Sequence, residues 1–339
     1  MTDHRDHRVR RRSLLPGLVA LGLLAAACSS RDGGDAGAGA TSDFEPRPAI
    51  TIVVNNWTAS ALNAAVAEQL IERHLAYPVV PARLDDTTQI YDGLADGSLD
   101  AVLEIWPADM TDRDRLYFER GEVVDLGPLG PVGKVGWFVP AYVVDEHPEL
   151  ATWDGLKDPA AAARFATPET EPDGRLLGTS ETYRQFDEQI IDSLDLPLEV
   201  VFSGSEEATL VELDARVEAR EPILLYWWTP TAAVAEYDLV NVALPEPTED
   251  CLAAAAAGGP GVDCDYPDEI LFKASSPSLV AKAPDVDAML RAFALTTEDQ
   301  LGMLAAVEID GVTVDAAAAA WIEANEATWR AWLPTTGDG

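Results

Sequence analysis

From residue 50 onward, short apolar runs alternate almost without interruption with longer amphipathic stretches. That rhythm constrains the fold more than any single motif does. Strands are predicted at 50–56, 78–84, 99–106, 133–144, 174–179, 199–203, 222–228 and 239–244. Helices are predicted at 58–75, 88–97, 110–120, 181–194, 205–220 and 230–237, with more from 284 onward. Alternation of this kind implies an α/β chain with parallel sheets covered on both faces. About 290 residues follow position 49, more than one core comfortably serves, so two lobes are expected. No period of solenoid length repeats. Thr58, Ser180, Ser205 and Thr229 each follow a predicted strand and are the expected helix caps.

The first residues set the compartment. Arg8 to Arg12 form a basic segment, Leu14 to Ala27 an apolar one, and Leu24-Ala-Ala-Ala-Cys28 follows at once. Residues 1–27 therefore read as a secretory signal peptide. Its end resembles the lipobox of bacterial lipoproteins, in which the cysteine, here Cys28, becomes the lipidated first residue. Residues 28–48, rich in Ser, Gly, Ala and Asp, read as a flexible tether. Removing the signal, with its five Arg and two Asp, takes the formal net charge from −36 to −39. Such a surface excludes nucleic acid, whose phosphates need Lys and Arg, and leaves the lipid as the one expected contact with membrane. The remaining cysteines, Cys251 and Cys264, flank an alanine- and glycine-rich stretch with no obvious core of its own. In an oxidising compartment a structural disulfide between them is expected, and with no histidine nearby no metal site is.

Four tryptophans stand where an apolar strand gives way to a helix, or on a strand close by. They are Trp57 in Ile-Val-Val-Asn-Asn-Trp, Trp106 in Leu-Glu-Ile-Trp-Pro, Trp137 in Lys-Val-Gly-Trp-Phe, and Trp228 in Leu-Leu-Tyr-Trp-Trp-Thr-Pro. Ligands of open α/β sheets bind beyond the carboxyl ends of the strands. Indoles gathered there make a receptor for a quaternary ammonium cation; the alternative is that they only fill the core. The helix starting at Thr58 and the turn at Thr229-Pro230 adjoin two of these rings, and a helix N-terminus suits a carboxylate. A zwitterion with a methylated nitrogen and a carboxylate would satisfy both. Trp321, Trp329 and Trp332, at near-helical offsets, read as core. Trp227 is expected on the face of its strand opposite Trp228, Glu104 is a candidate for the cleft, and Trp153 has no assignable role.

In order and spacing these segments resemble the substrate-binding proteins of ABC transporters for glycine betaine, proline betaine and related quaternary amines, the OpuAC-like family. The resemblance is carried by Asn56-Trp57-Thr58, Glu104-Ile-Trp106-Pro107, Gly136-Trp137-Phe-Val-Pro140, Phe202-Ser-Gly-Ser-Glu206 and Glu221-Pro-Ile-Leu-Leu-Tyr-Trp-Trp-Thr-Pro230. Tyr237-Asp-Leu-Val240, Cys264-Asp-Tyr-Pro267 and Trp329-Arg-Ala-Trp332 extend it to residues 49–333. It implies a two-lobed periplasmic-binding-protein-like (type II) fold with a central cleft and hinge crossovers. Lobe I would be 49–138 and 246–339, lobe II 139–245. It also implies an aromatic box for the trimethylammonium head, with Trp57, Trp106 and Trp228 matching by position. Trp137 lies near the first crossover, where hinge packing is the alternative. Tyr183, in Gly178-Thr-Ser-Glu-Thr-Tyr183, stands where many relatives carry Pro-Ser-Trp and would replace that ring. The partners implied are a permease and an ATPase, with the receptor itself a monomer; choline or carnitine binding, and a sensory role, remain alternatives.

An enzyme is not expected. Beyond the signal the only histidines are His74 and His147, neither near a plausible nucleophile, and no Gly-x-Ser-x-Gly or phosphate-binding loop is present. No cofactor is implied.

Overall fold

The computed structural model describes residues 47–84 and 87–334. The signal peptide, Cys28 and nearly all of the tether lie outside the described residues. β1 (Ile50–Val54) is β-branched throughout and largely buried, the habit of a strand covered on both faces. It pairs in parallel with β2 (Val79–Arg83) and β3 (Ala101–Ile105). Helix α1 (Thr58–Leu70) packs beneath it through Leu62, Ala64, Ala65, Val66 and Leu70. Its alanines allow a close approach to the sheet. Helices α2 (Thr87–Asp96) and α3 (Asp112–Glu119) follow β2 and β3. A second parallel set is β5 (Gly174–Gly178), flanked by β6 (Leu198–Phe202) and β7 (Leu224–Thr229).

A long strand joins the two sets. β4 (Val124–Pro140) pairs antiparallel with β9 (Asp268–Ser275) over its first part, from Val124↔Ser275 to Lys134↔Asp268. Its last part pairs with β7, from Lys134↔Thr229 to Phe138↔Leu225, and with β8 (Leu239–Asn241). The sheet order among the described residues is β2-β1-β3-β9-β4-β7-β5-β6, with β8 on β4. The expected parallel sheets are thus corrected to one mixed sheet. Sequence reading missed β9 and the start of β4. The run Val-Asp-Leu-Gly-Pro-Leu-Gly-Pro looks like a loop, and the ladder accommodates it by register shifts between Asp125 and Gly127 and between Pro128 and Val132.

The caps divide. Ser205 accepts the Ala208 N–H at 3.1 Å and starts the helix Glu206–Ala219. Ser180 instead holds a turn, accepting the Thr182 N–H at 3.2 Å, and the helix expected from 181 begins only at Asp187. Thr229 is the last residue of β7, and the next helix spans Ala232–Glu236 after Thr231. Thr231 does not cap it, because its hydroxyl accepts the Trp227 indole N–H at 2.8 Å and donates to the Trp228 carbonyl. The alanine run after Cys251 is no loose loop but part of the helix Glu249–Ala257, capped by Thr248. Cys251 and Cys264 are bonded, both buried, with Cα atoms 6.3 Å apart. Trp321, Trp329 and Trp332 are buried, Trp321 stacking on Trp332 at 5.6 Å. No helix among the described residues is long and apolar enough to cross a membrane.

Candidate functional site: an aromatic pocket at the strand ends

Trp57 leaves the carboxyl end of β1 in extended geometry, directly ahead of α1. Trp106 does the same after β3, ahead of a short 3-10 turn, Pro107–Asp109. Between them lies Glu104, only 1% exposed. Its Oε1 accepts the indole N–H of Trp57 at 2.8 Å and of Trp106 at 3.0 Å, while Oε2 accepts from Asn63 Nδ2 at 2.6 Å. One carboxylate therefore fixes two rings by their edges. Burial lifts its pKa to about 7, opposed by the indole donors. Trp106 also lies hard against the backbone of β4: a Cβ on Gly133 would fall 2.3 Å from its ring.

Tyr226 and Trp228 come from β7, two residues apart and so on one face. Tyr183 completes the wall from the loop after β5. Its ring meets Trp57 edge-on at 5.9 Å and Trp228 at 5.7 Å. The pocket so formed is lined by Trp57, Trp106, Asp109, Val135, Tyr183, Tyr226 and Trp228. The structure brings four of the sequence-predicted residues, Trp57, Trp106, Tyr183 and Trp228, to this one place. Trp137 is not among the lining residues. It is fully buried, with its indole N–H donating to Asp187 Oδ1 at 2.7 Å, and the Tyr266 hydroxyl donates to the same oxygen at 2.8 Å. Burial raises the Asp187 pKa to about 6.

Thr58 does not reach the pocket lining either. Its backbone N–H donates to Glu206 Oε2 at 2.8 Å, so a carboxylate of the chain itself occupies the start of α1. Glu104 stands behind the rings rather than between them and the ligand space. Trp227, expected to point away from Trp228, is buried but stacks on it at 4.4 Å. The β4–β7 ladder stays in register through both residues, and the Trp227 indole N–H donates to the Thr231 hydroxyl in the turn beyond the strand. Sequence reading missed Tyr226 and Asp109. The signal for Tyr226 was its period-two offset from Trp228; Asp109 sits on an irregular turn that periodicity does not reach.

Across the pocket mouth, the Tyr183 hydroxyl donates to the Asn56 carbonyl at 3.3 Å, and Arg184 donates to the carbonyls of Met110 at 2.8 Å and Ala255 at 3.0 Å. A pocket of aromatic faces with one acidic side chain, Asp109, and no metal cluster among the described residues suits a compact organic cation.

Residues 48–324 match the family model for the substrate-binding domain of ABC-type glycine betaine transport systems. The chain belongs to this family. It is 26% identical over 304 residues to a trimethylamine N-oxide-binding protein of Pelagibacter ubique (strain HTCC1062), covering 86% of this chain and 93% of that one. Its fold resembles lactococcal OpuAC in a closed, glycine betaine-bound form, with TM-score 0.67, 19% identity, and 85% and 100% of the two chains covered. It also resembles the glycine betaine/L-proline-binding protein ProX of Borrelia burgdorferi, at 0.65 and 20%, over 85% and 97%. A choline-binding ABC-transporter protein in complex with choline aligns at 0.65 and 18%, over 86% and 94%. The protein is a substrate-binding receptor of the glycine betaine ABC-transporter family, with the two-lobed periplasmic-binding-protein fold, and not an enzyme. The family works outside the cytoplasm with a permease and an ATPase.

Proposed function

We propose that this receptor captures glycine betaine or a close trimethylammonium analogue in the pocket walled by Trp57, Trp106, Tyr183, Tyr226 and Trp228, and delivers it to its permease. The observation that carries this reading is the convergence of five aromatic rings from four parts of the chain on one pocket, two of them locked by Glu104. Each ring offering its face to the cation contributes about 0.5–2 kcal/mol, more as water is excluded. The relatives support the same headgroup, since trimethylamine N-oxide, glycine betaine and choline share a trimethylated nitrogen. Lobe I is taken as 49–138 with 246–339 and lobe II as 139–245, so that Trp57 and Trp106 face Tyr183 and Trp228 across the cleft. The mature receptor is read as a monomer tethered to the outer face of the membrane by lipid on Cys28.

Isothermal calorimetry with glycine betaine, proline betaine, trimethylamine N-oxide, choline and carnitine tests the reading. Micromolar or tighter binding of at least one is expected. Heat from none of them would remove the aromatic-box function. Preference for choline or carnitine over every zwitterion would shift it to the alternative receptor class.

A further inference from the structure

Asp109 is the one acidic side chain among the residues that line the aromatic pocket. It ends the 3-10 turn that follows Trp106, and its backbone N–H donates to the Trp106 carbonyl at 3.1 Å. One turn thus sets both a wall of the box and this carboxyl. Among the described residues no hydrogen bond reaches the carboxyl. Most donors nearby are engaged elsewhere: the Trp57 and Trp106 indoles by Glu104, the Thr58 N–H by Glu206, and the Tyr183 hydroxyl by the Asn56 carbonyl, which leaves the Tyr226 hydroxyl and the Asp109 carboxyl on the pocket wall. A ligand with an anionic oxygen must find its donor among what remains.

We propose that Asp109 reads the polar end of the ligand: its carboxyl, carrying its proton, donates a hydrogen bond to the anionic oxygen of a zwitterion, an N-oxide or a betaine carboxylate. This rests on the aromatic-box reading above and deepens it by assigning the substrate class. No bond is made or broken; the proton stays on Asp109 and is shared with the ligand oxygen. The surroundings keep that proton in place. Desolvation of this half-buried carboxyl, followed by Glu269 on β9, lifts the Asp109 pKa to about 8, with Arg184 opposing. Tyr91 of α2 and Tyr226 of β7 also face this carboxyl, and Glu104 of β3 shares a cavity with it behind the Trp106 ring. A carboxylic acid held neutral at pH 7 is a strong donor to a developing or full anion. Once ionised, it would set two anions face to face, and the missing hydrogen bond would leave the ligand oxygen buried and unpaired. A cation bearing a hydroxyl behaves in the opposite way, because it donates to the carboxylate.

The test is calorimetry with glycine betaine and with choline at pH 6.5 and pH 9.0, on the wild type, Asp109→Asn and Asp109→Leu. For the wild type, betaine affinity falls about tenfold or more between these pH values while choline affinity holds or rises. Asparagine, a neutral donor of the same shape, retains betaine binding within about threefold and flattens its pH dependence. Leucine, which offers no donor, loses about tenfold at pH 6.5. Glu104, Glu206 and Glu269 titrate near pH 7 and Glu308 near pH 8. Their titration is common to both ligands and both proteins, so the decisive quantities are the difference between ligands and that between wild type and Asp109→Asn. Parallel pH dependence for betaine and choline, or an unchanged betaine profile in Asp109→Asn, overturns the proposal even if the leucine variant fails to fold. Binding of neither ligand by the wild type would instead sink the aromatic-box reading on which it stands.

Discussion

Two indole N–H groups meet on a single oxygen of Glu104, and that detail explains why the box is rigid before any ligand arrives. A tryptophan on a loop loses rotamer freedom when it binds; here the hydrogen bonds at 2.8 and 3.0 Å have already removed it. Replacing Trp57, Trp106 or Trp228 with alanine is expected to weaken trimethylammonium binding about tenfold or more by calorimetry. Trp329→Ala is expected to leave affinity nearly intact. Its ring is buried, donates to the Ile322 carbonyl at 2.8 Å and lies 4.5 Å from His74, so its removal lowers stability by about 3–5 kcal/mol. Equal affinity losses from both groups would mean that the box variants act through unfolding. Trp57, Trp106 and Trp228 are legible in sequence because each stands just beyond or near the end of an apolar strand. Trp137 has the same local signature, yet its position in the interior of β4 turns it into the core toward Asp187. Asp109 gives no periodic signal, and only the turn after Trp106 brings it to the pocket.

Helix starts carry a second device, one that local sequence patterns do not display. Glu206 opens the helix Glu206–Ala219 in the segment 139–245, and its carboxylate closes on the first N–H of α1, in the flanking segment. Glu308 ends the helix Thr297–Glu308 on the flanking side and accepts the Ala232 N–H at 3.2 Å, at the start of the helix Ala232–Glu236. Each segment thus lends a carboxylate to a helix start of the other. Sequence points to the Thr58 side chain as the cap of α1, whereas the partner is 148 residues away, a pairing that only the folded sheet creates. Strands with strong β-branched runs are legible almost to the residue; β9 is not, because its apolar run Ile270–Phe272 is only three residues long, stands between charged residues and pairs with a Gly- and Pro-rich partner. If these two contacts hold the cleft shut, the paired change Glu206→Ala with Glu308→Ala leaves all five rings in place but favours the open shape. Small-angle scattering should then show the wild type shrinking with saturating glycine betaine and the double variant shrinking less, with affinity lowered several-fold. A wild type whose radius of gyration ignores ligand would mean a preformed rigid pocket in place of lobe closure.

Beyond single contacts, the molecule gathers acidic groups in its interior as well as on its surface. Burial lifts Asp187 to about 6, Glu104, Glu206 and Glu269 to about 7, and Asp109 and Glu308 to about 8. In the unfolded chain such groups ionise near pH 4. Between pH 4 and about 8 the folded protein therefore holds protons that the unfolded chain has shed, so stability falls as pH rises through that window. The formal charge of −36 over the whole chain pushes in the same direction by self-repulsion, but salt separates the two causes. Exposed charges are screened over roughly 8–10 Å at physiological ionic strength, whereas buried carboxyls are screened far less. Thermal unfolding followed at pH 5.5, 7.0 and 8.5, in low salt and again in 0.5 M NaCl, should give a midpoint that drops by several degrees toward pH 8.5 in both series. The drop should be shallower in high salt yet still present. A high-salt midpoint that is flat or rises toward pH 8.5 would place the whole effect on the surface and leave the interior carboxyls without a role in stability.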